Sequence, residues 1–186
     1  MKVTQGAIPG VLVIEPAVHR DARGYFLESY HAERYAAAGV PGPFVQDNVT
    51  LSRRGTLRGL HAQPRRPQGK LCAVLSGEVF DVSVDLRPGS PTFGRWFATI
   101  LSEANHRQIY LPPGFAHGFC VLSERARFVY KCTATYDARG EIAIRWDDPD
   151  LAIEWPIVAP LLSGRDAAAL PLTEAMRLLE RAPGSA

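Results

Sequence analysis

The fold is decided by the stretch GTLRGLHAQ at residues 55–63, which is followed by Lys70 and, much later, by PPGFAH at residues 112–117. Side chains alternate between the two faces of a strand, so His61 and Gln63 would share one face and Arg58 would lie on the other. The second segment is a Pro-Gly turn that leads into a strand carrying His117. An imidazole and an ammonium are suited to removing a proton from a carbon beside a carbonyl.

The same segments resemble those that carry the metal ligands of cupin proteins. His61 and His117 occupy the two outer ligand positions of that pattern. Gln63 replaces its second histidine, and Lys70, spaced before Gly77 as the acidic ligand would be, replaces its carboxylate. A cation stands where an anionic ligand would be. The pattern therefore predicts a cupin-like site that does not readily hold a divalent metal ion.

Each of these residues also has an ordinary structural interpretation. A histidine in a strand pattern is more often structural than catalytic, Lys70 could be a solvated loop residue, and Pro-x-Gly-x-x-His is also a plain turn. The coincidence of several positions favours a site over each separate interpretation. If Arg58 enters the same pocket as His61, Gly59 must mark a bulge or a turn of the strand.

Asp166 has two competing interpretations. Ser163 and Asp166 form the spacing of a capping box, in which the acid serves only the start of a helix. The spacing alone favours that cap. The functional alternative is a carboxylate that fixes the tautomer and orientation of His61.

Length and composition predict a single domain over residues 1–186 with a substantial hydrophobic core, since 46% of the residues are hydrophobic. The net charge of +2 indicates no nucleic acid or membrane partner. The three cysteines lie in apolar runs without metal-cluster spacings, which predicts buried free thiols and a reducing compartment. With no apolar stretch of signal-peptide length at the N-terminus, the expected location is the cytoplasm.

Frequent turn signals separate short apolar or alternating segments, which is typical of a β-sandwich or barrel. Residues 80–86 alternate like a half-buried strand, and Tyr130 and Tyr136 would point the same way in another. Three peripheral helices are predicted: Ser29 to Ala38 with a stop at Gly39, one that begins within residues 162–166, and Thr173 to Arg181. Residues 183–186 are expected to be disordered.

The segment DARGYFLE at residues 21–28 combines Arg23, Phe26 and Glu28. They supply a guanidinium that matches phosphate, an aromatic face for stacking and a hydrogen-bond acceptor. An exposed strand edge is the alternative interpretation. No glycine-rich phosphate loop is present in the sequence, so a nucleotide would be held by side chains.

With these residues in view, the chain resembles the dTDP-4-dehydrorhamnose 3,5-epimerase family from about Ala7 to Ala169. Eight motifs occur in family order: DxRGxFxES from Asp21, FVQDN from Phe44, LRGLH from Leu57, QGK from Gln68, GEVFDV from Gly77, SPTFG from Ser90, GFAHGF from Gly114 and SxxDAA from Ser163. Departures are few. Ala62 stands where relatives usually have an aromatic residue and Arg165 where many have lysine, and the loop after Gln63 is slightly short.

The resemblance implies an all-β cupin-type jelly roll with a few short peripheral helices, no metal and no cofactor. It also implies a homodimer in which N-terminal strands cross between subunits. The expected activity converts dTDP-4-dehydro-6-deoxy-D-glucose into dTDP-4-dehydro-L-rhamnose, a step towards the dTDP-L-rhamnose used for surface polysaccharides such as O-antigen. Three rivals stay open: an epimerase that inverts a single centre, a metal-dependent cupin oxygenase or isomerase, and a non-catalytic sugar-binding cupin.

By the same resemblance His61 is the base, Asp166 orients its ring, Tyr130 returns a proton from the opposite face, and Lys70 stabilises the enolate oxygen. Phe26 and Tyr136 would sandwich the thymine. The full set of expected substrate-binding residues is Arg23, Phe26, Glu28, Gln46, Asp47, Asn48, Arg58, His117, Tyr136, Glu141 and Arg165.

Overall fold

A computed structural model describes residues 1–180. Its strands are β1 (Lys2–Gln5), β2 (Leu12–Glu15), β3 (Val18–Asp21), β4 (Gly24–Leu27), β5 (Gln46–Arg53), β6 (Leu57–Ala62), β7 (Lys70–Ser76), β8 (Glu78–Asp85), β9 (Trp96–Ser102), β10 (Gln108–Leu111), β11 (Phe115–Val121), β12 (Arg125–Cys132) and β13 (Ile142–Ala143). Its helices are α1 (Ala32–Ala37), α2 (Gly164–Ala167) and α3 (Leu172–Glu180).

Two sheets make up the body of the fold. One has the order β1-β2-β10-β7-β12-β5, the other has the order β13-β6-β11-β8-β9, and β3 and β4 form a separate hairpin. The ladders between these strands are antiparallel. The predicted all-β jelly roll with short peripheral helices is confirmed.

An apolar core fills the space between the two sheets. It includes Cys72 and Val74 of β7, which alternate with outward-facing neighbours along that strand. Phe119 of β11 stacks on Phe128 of β12, with 4.2 Å between the ring centroids. Because β11 and β12 belong to different sheets, this aromatic pair bridges them.

The prediction of a half-buried strand at residues 80–86 is wrong, because both faces of β8 are covered. Val82 and Val84 pack in a second apolar cluster with Leu172 and Ala175 of α3. The polar residues Asp81, Ser83 and Asp85 alternate with these valines along β8, and they are fully buried rather than solvated. A helix layer over one side of the sheet and polar partners on the other side account for this difference.

The first helix is shorter than predicted. α1 begins after His31, whose side chain accepts a hydrogen bond from the Arg34 amide, and not at Ser29. The carbonyl of Ser29 instead accepts hydrogen bonds from Tyr35 Oη and Gln108 Nε2, which hold it outside the helix. The helix does end before Gly39, which has a φ of 87° as a C-terminal glycine requires.

The other two helices agree with the sequence prediction. α2 is a single turn with Ser163 as its N-cap, and α3 covers the described part of the predicted C-terminal helix. Arg181 and the tail at residues 183–186, which is expected to be disordered, lie outside the described residues. The three cysteines are buried and free, as predicted.

No helix within residues 1–180 is long and apolar enough to cross a membrane.

The buried carboxylate of Asp85, the last residue of β8, binds residues of the turn that follows the strand. Asp85 accepts hydrogen bonds from Arg87, Ser90 and Thr92. Burial by itself would raise the pKa of Asp85, but these hydrogen bonds outweigh burial and hold the pKa well below its ordinary value. The ionised carboxylate therefore stabilises the folded state at neutral pH.

We expect Asp85→Asn to lower the free energy of unfolding by about 2 kcal/mol at pH 7. A carboxyl group whose pKa is lowered by folding contributes stability above its unfolded pKa of about 4, and that contribution is lost as the pH falls further. Urea unfolding at pH 7, 4 and 3 should therefore show a difference that shrinks with acid. The exposed Asp150→Asn variant serves as the control. A difference that does not change with pH would contradict this account.

Candidate active site

A cavity of about 360 Å³, large enough for part of a small-molecule ligand, lies between the two sheets. Side chains from both sheets, from the segment after β12 and from α2 meet there. The cavity is lined by Gln46, Asn48, Thr50, Arg58, His61, Gln68, Lys70, His117, Phe119, Tyr130, Cys132, Tyr136, Glu141, Ser163 and Asp166.

The base and acid candidates come from opposite walls of this cavity. His61 lies on β6 of the five-stranded sheet, whereas Lys70 and Tyr130 lie on β7 and β12 of the six-stranded sheet. A ligand between the two sheets would have an imidazole on one side and a phenol on the other.

His61 is held by a carboxylate. Its Nε2 lies 2.6 Å from Asp166 Oδ1, and Ser163 Oγ donates to Asp166 Oδ2 at 2.7 Å. Burial alone would raise the pKa of Asp166, but the hydrogen bonds from His61 and Ser163 lower it below its ordinary value. The ionised carboxylate accepts from Nε2–H, so Nδ1 is the ring nitrogen left to take a proton.

The helix cap predicted at Asp166 is present, but the acid does not serve the helix alone. Its backbone amide donates to Ser163 Oγ, as in a helix cap, while its carboxylate holds the ring of His61. The cap places the carboxylate, and the carboxylate orients the histidine.

A bulge in β6 brings Arg58 and His61 to the same cavity. On β11, His117 and Phe119 are two positions apart, whereas their β6 partners His61 and Arg58 are three positions apart. Gly59 lies in this extra step with a φ of 116°, and a Cβ there would be 2.6 Å from the Cα of Gly118. The bulge that the sequence required is confirmed, and only glycine fits it.

Tyr130 is suited to give up a proton rather than to accept one. Burial raises its pKa to about 12, with smaller effects from its neighbours. The phenol is therefore protonated at neutral pH. Lys70 Nζ lies 5.8 Å from the centroid of the Tyr130 ring, so the ammonium and the phenol face the same part of the cavity.

His117 is also paired with a buried acid, since its Nε2 lies 2.9 Å from Asp81 Oδ2. It reaches the cavity, as expected. Gln63 does not reach it. Its amide bonds to the carbonyls of Arg66 and Thr135 and accepts from the Asp137 amide, because β6 ends at Ala62 and the chain turns away. The expectation that Gln63 shares a face with His61 is wrong.

A polar network forms the rim of the cavity. Tyr136 Oη donates to Glu141 Oε2 at 3.0 Å, and Arg165 also bonds that carboxylate. The Tyr136 amide donates to Gln46 Oε1, whose own amide donates to Asn48 Oδ1. These five predicted binding residues are thereby brought together, and Tyr130 and Tyr136 do point into one cavity.

Four of the expected binding residues lie away from this cavity. Arg23 and Phe26 are on the β3–β4 hairpin, where the Arg23 side chain is 90% exposed and Phe26 is 69% exposed. Glu28 pairs with Arg34 on the surface. Asp47 points to the outer face of β5, where it accepts from Lys131 at 2.8 Å, because its neighbours in sequence face inwards. Their roles in binding stay predictions.

Several lining residues were not expected from the sequence: Thr50, Gln68, Phe119, Cys132 and Ser163. Strand alternation could have found three of them, since Thr50, Phe119 and Cys132 each lie two residues from a predicted site residue. Burial raises the pKa of the Cys132 thiol, so this cysteine is protonated and a poor nucleophile at neutral pH.

A second, larger cavity of about 720 Å³ lies near α3. Apolar side chains such as Leu86, Phe93 and Met176 dominate its described lining, which includes neither a histidine nor a carboxylate nor a tyrosine. Proton transfer cannot be assigned to it. Within residues 1–180, no group of three or more His, Cys, Asp or Glu side chains is arranged to hold a metal ion.

Comparison with known proteins shows what this chain is similar to. The profile of the family described as dTDP-4-dehydrorhamnose 3,5-epimerase matches residues 5–174. The Pseudomonas aeruginosa protein of that name is 55% identical over 168 residues, covering 89% of this chain and 93% of the relative. The dTDP-4-dehydrorhamnose 3-epimerase of Streptomyces niveus is 45% identical, and the match covers 94% of this chain and 86% of that relative.

Solved structures agree with the sequence relatives. The crystal structure of a dTDP-6-deoxy-D-glucose-3,5-epimerase from Legionella pneumophila, in complex with dTDP-4-keto-L-rhamnose, superimposes with a TM-score of 0.90. It is 50% identical in sequence, and the match covers 92% of this chain and 93% of that one.

Proposed function

Because the chain belongs to the dTDP-4-dehydrorhamnose 3,5-epimerase family, we propose that it converts dTDP-4-dehydro-6-deoxy-D-glucose into dTDP-4-dehydro-L-rhamnose. It is an isomerase, and the reaction moves protons at the carbons beside the C4 ketone. One observation carries the proposal. The imidazole of His61 and the phenol of Tyr130 come from different sheets and line the same cavity.

Inversion of a carbon centre requires two groups. A base that removes a proton and returns it itself restores the original configuration. His61 Nδ1 takes the proton on one face, because Nε2 is engaged by Asp166. Tyr130, whose pKa is raised to about 12, gives a proton to the opposite face of the planar enolate. The phenol then regains a proton from solvent before the next turnover.

The negative charge of the enolate builds up on the C4 oxygen. The ammonium of Lys70 lies beside Tyr130 on the cavity wall formed by the six-stranded sheet. A positive charge in this position suits Lys70 to stabilise the C4 oxygen. Arg58 and His117 face the cavity from the other wall, where they suit the diphosphate and the sugar. Tyr136 offers its ring to the thymine at the rim.

Lys70→Met removes the charge while keeping a side chain of similar length. We expect the turnover number to fall on the order of 100-fold, because the charge acts on the enolate more than on the ketone. The Michaelis constant should change much less. Steady-state assays on the variant and on Arg127→Met, which lies at the exposed face of β12, test this. A change confined to the Michaelis constant would assign Lys70 to binding instead.

The function itself is tested by incubating the protein with dTDP-4-dehydro-6-deoxy-D-glucose in heavy water and reading the product by NMR. Deuterium at both C3 and C5 supports the proposal. Label at only one carbon would support the single-centre alternative, which the 45% identity to the Streptomyces niveus 3-epimerase makes worth testing. The absence of any exchange would reject both.

The other rivals are separated by different measurements. A stoichiometric transition metal that is required for turnover would favour a metal-dependent cupin oxygenase or isomerase. A sugar-binding protein without catalysis would bind the nucleotide sugar but leave its carbon-bound hydrogens unexchanged.

We also propose that the protein is a homodimer whose N-terminal hairpin completes the partner's site. Arg23 and Phe26 are exposed, chemically suited to a nucleotide, and absent from the cavity of their own chain. Strand β5 lies at the edge of its sheet and exposes Val49 and Leu51 on its outer face. Such an apolar face beside an unpaired strand edge suits contact with a second copy.

Mixing two inactive variants tests this arrangement. Arg23→Ala/Phe26→Ala lacks the hairpin side chains, and His61→Ala lacks the base. If hairpins cross between subunits, a mixture refolded together should regain about a quarter of the wild-type activity, because half of the dimers are mixed and each has one complete site. No recovery by a mixture that sediments as dimers would reject the exchange. Sedimentation as monomers would reject the dimer.

The expected location is the cytoplasm. Its support is that Cys72, Cys120 and Cys132 are all free and buried, which suits a reducing compartment. Cell fractionation with an antibody against the protein would test it.

A further inference from the structure

The cavity contains a second imidazole held by a carboxylate. His117 of β11 lies directly across the strand pair from His61 of β6. Each histidine has its Nε2 within hydrogen-bond distance of a buried acid from a different element, Asp166 for His61 and Asp81 for His117. The first pair belongs to the proton transfer described above, whereas Asp81 does not line the cavity and has no assigned role.

Burial of the Asp81 carboxylate costs free energy. It is fully buried on β8, and its Oδ1 has no hydrogen-bond partner among the residues that the structure describes. A carboxylate with one unsatisfied oxygen in a largely apolar interior costs free energy, which the contact from Oδ2 to His117 partly offsets. The packing of β8 alone does not require an acid at this position.

The ring of His117 is fixed by its other neighbours as well. It stacks on Phe128 with 5.9 Å between centroids and an angle of 25° between planes. Cys72 Sγ lies 3.9 Å from the same Nε2. Since Nε2 faces the interior, Nδ1 is the nitrogen of His117 left for a ligand in the cavity.

We propose that Asp81 is a positioning residue, which accepts the hydrogen of His117 Nε2 and thereby fixes the tautomer and orientation of a ring that contacts the sugar nucleotide. The Nδ1 of the neutral imidazole is then an acceptor for a hydroxyl group of the substrate. Asp81 would act through His117 only. This inference rests on the proposed function for its kinetic readout but not for its spectroscopic one.

Asp81→Asn keeps the shape of the side chain but replaces the anionic acceptor of Nε2–H by a neutral amide, whose oxygen accepts more weakly and whose nitrogen cannot accept at all. We expect kcat/KM to fall by about 10- to 100-fold, as for other groups that orient a functional imidazole. Ser83→Ala is the matched control, since Ser83 is equally buried and lies on the same face of β8. The control should retain activity close to that of the wild type.

A double-mutant cycle separates positioning from a general structural effect. In a His117→Phe background, Asp81→Asn should change kcat/KM by less than about twofold, because its effect passes through the ring that has been removed. Additive losses, or an Asp81→Asn protein as active as the wild type, would overturn the proposal.

Nitrogen-15 NMR of the histidine rings tests the same point without catalysis. The wild-type His117 should show the tautomer protonated at Nε2, and Asp81→Asn should weaken that preference. A wild-type ring protonated only at Nδ1 would overturn the proposal, even if the variant does not fold. A wild-type protein that shows the Nε2 tautomer but no epimerase activity would reject the proposed function and leave the positioning role standing.

Discussion

His61→Ala is expected to lower the turnover number on the order of 10³-fold, because it removes the proposed base of both inversions. Deuterium exchange from heavy water into the substrate should be lost together with product formation. NMR of the recovered nucleotide sugar measures both. The variant also leaves Asp166 Oδ1 without its partner, so its folding must be verified by circular dichroism and thermal unfolding.

His31→Asn is the matched control for this variant. His31 caps α1 away from the cavity, and asparagine can keep that cap. The control should exchange and epimerise at rates close to those of the wild type. A folded His61→Ala protein that still exchanges deuterium normally would show that another residue is the base.

Tyr130→Phe is expected to separate proton removal from inversion. The epimer should form at least about 100-fold more slowly, since the proposed proton donor on the second face is gone. His61 is still present and can return protons or deuterons to the face from which they came. Recovered substrate should therefore gain deuterium in heavy water while keeping its configuration.

Tyr110→Phe provides the control, because Tyr110 is a buried tyrosine of β10 that does not line the cavity. A Tyr130→Phe protein with neither exchange nor product would contradict the division of labour between the two residues. Wild-type product formation would show that the proton comes from elsewhere.

The strand pattern of this sequence predicted much of the fold and of the pocket. Alternation predicted that Tyr130 and Tyr136 point the same way, and the turn signals predicted the β-sandwich. The glycine at position 59 could be recognised as a bulge only because Arg58 and His61 were both expected in the pocket. The resemblance to a family supplied Tyr130, since a tyrosine within an alternating strand has no distinctive local signal.

Other features depended on long-range contacts that no local pattern encodes. The Asp81 carboxylate is buried because β8 is covered on both faces, and the sequence shows only an alternating strand. Gln63 leaves the pocket because its amide satisfies loop carbonyls 72 residues away at Thr135. α1 is shortened because Tyr35 and Gln108 hold the Ser29 carbonyl. In each case a tertiary hydrogen bond or packing layer overrode the local preference.

The stacked pair of Phe119 and Phe128 links the packing of the hydrophobic core to the rate of the proposed reaction. These rings bridge the two sheets next to the cavity, and the sheets carry His61, the proposed proton acceptor, and Tyr130, the proposed donor, separately. The distance that a proton must cover on each side of the sugar is therefore set by the thickness of the sandwich. Phe128 is fully buried and does not line the cavity. Selection for faster turnover, or for a bulkier sugar, can nevertheless act on it, by changing how far apart the two walls are held.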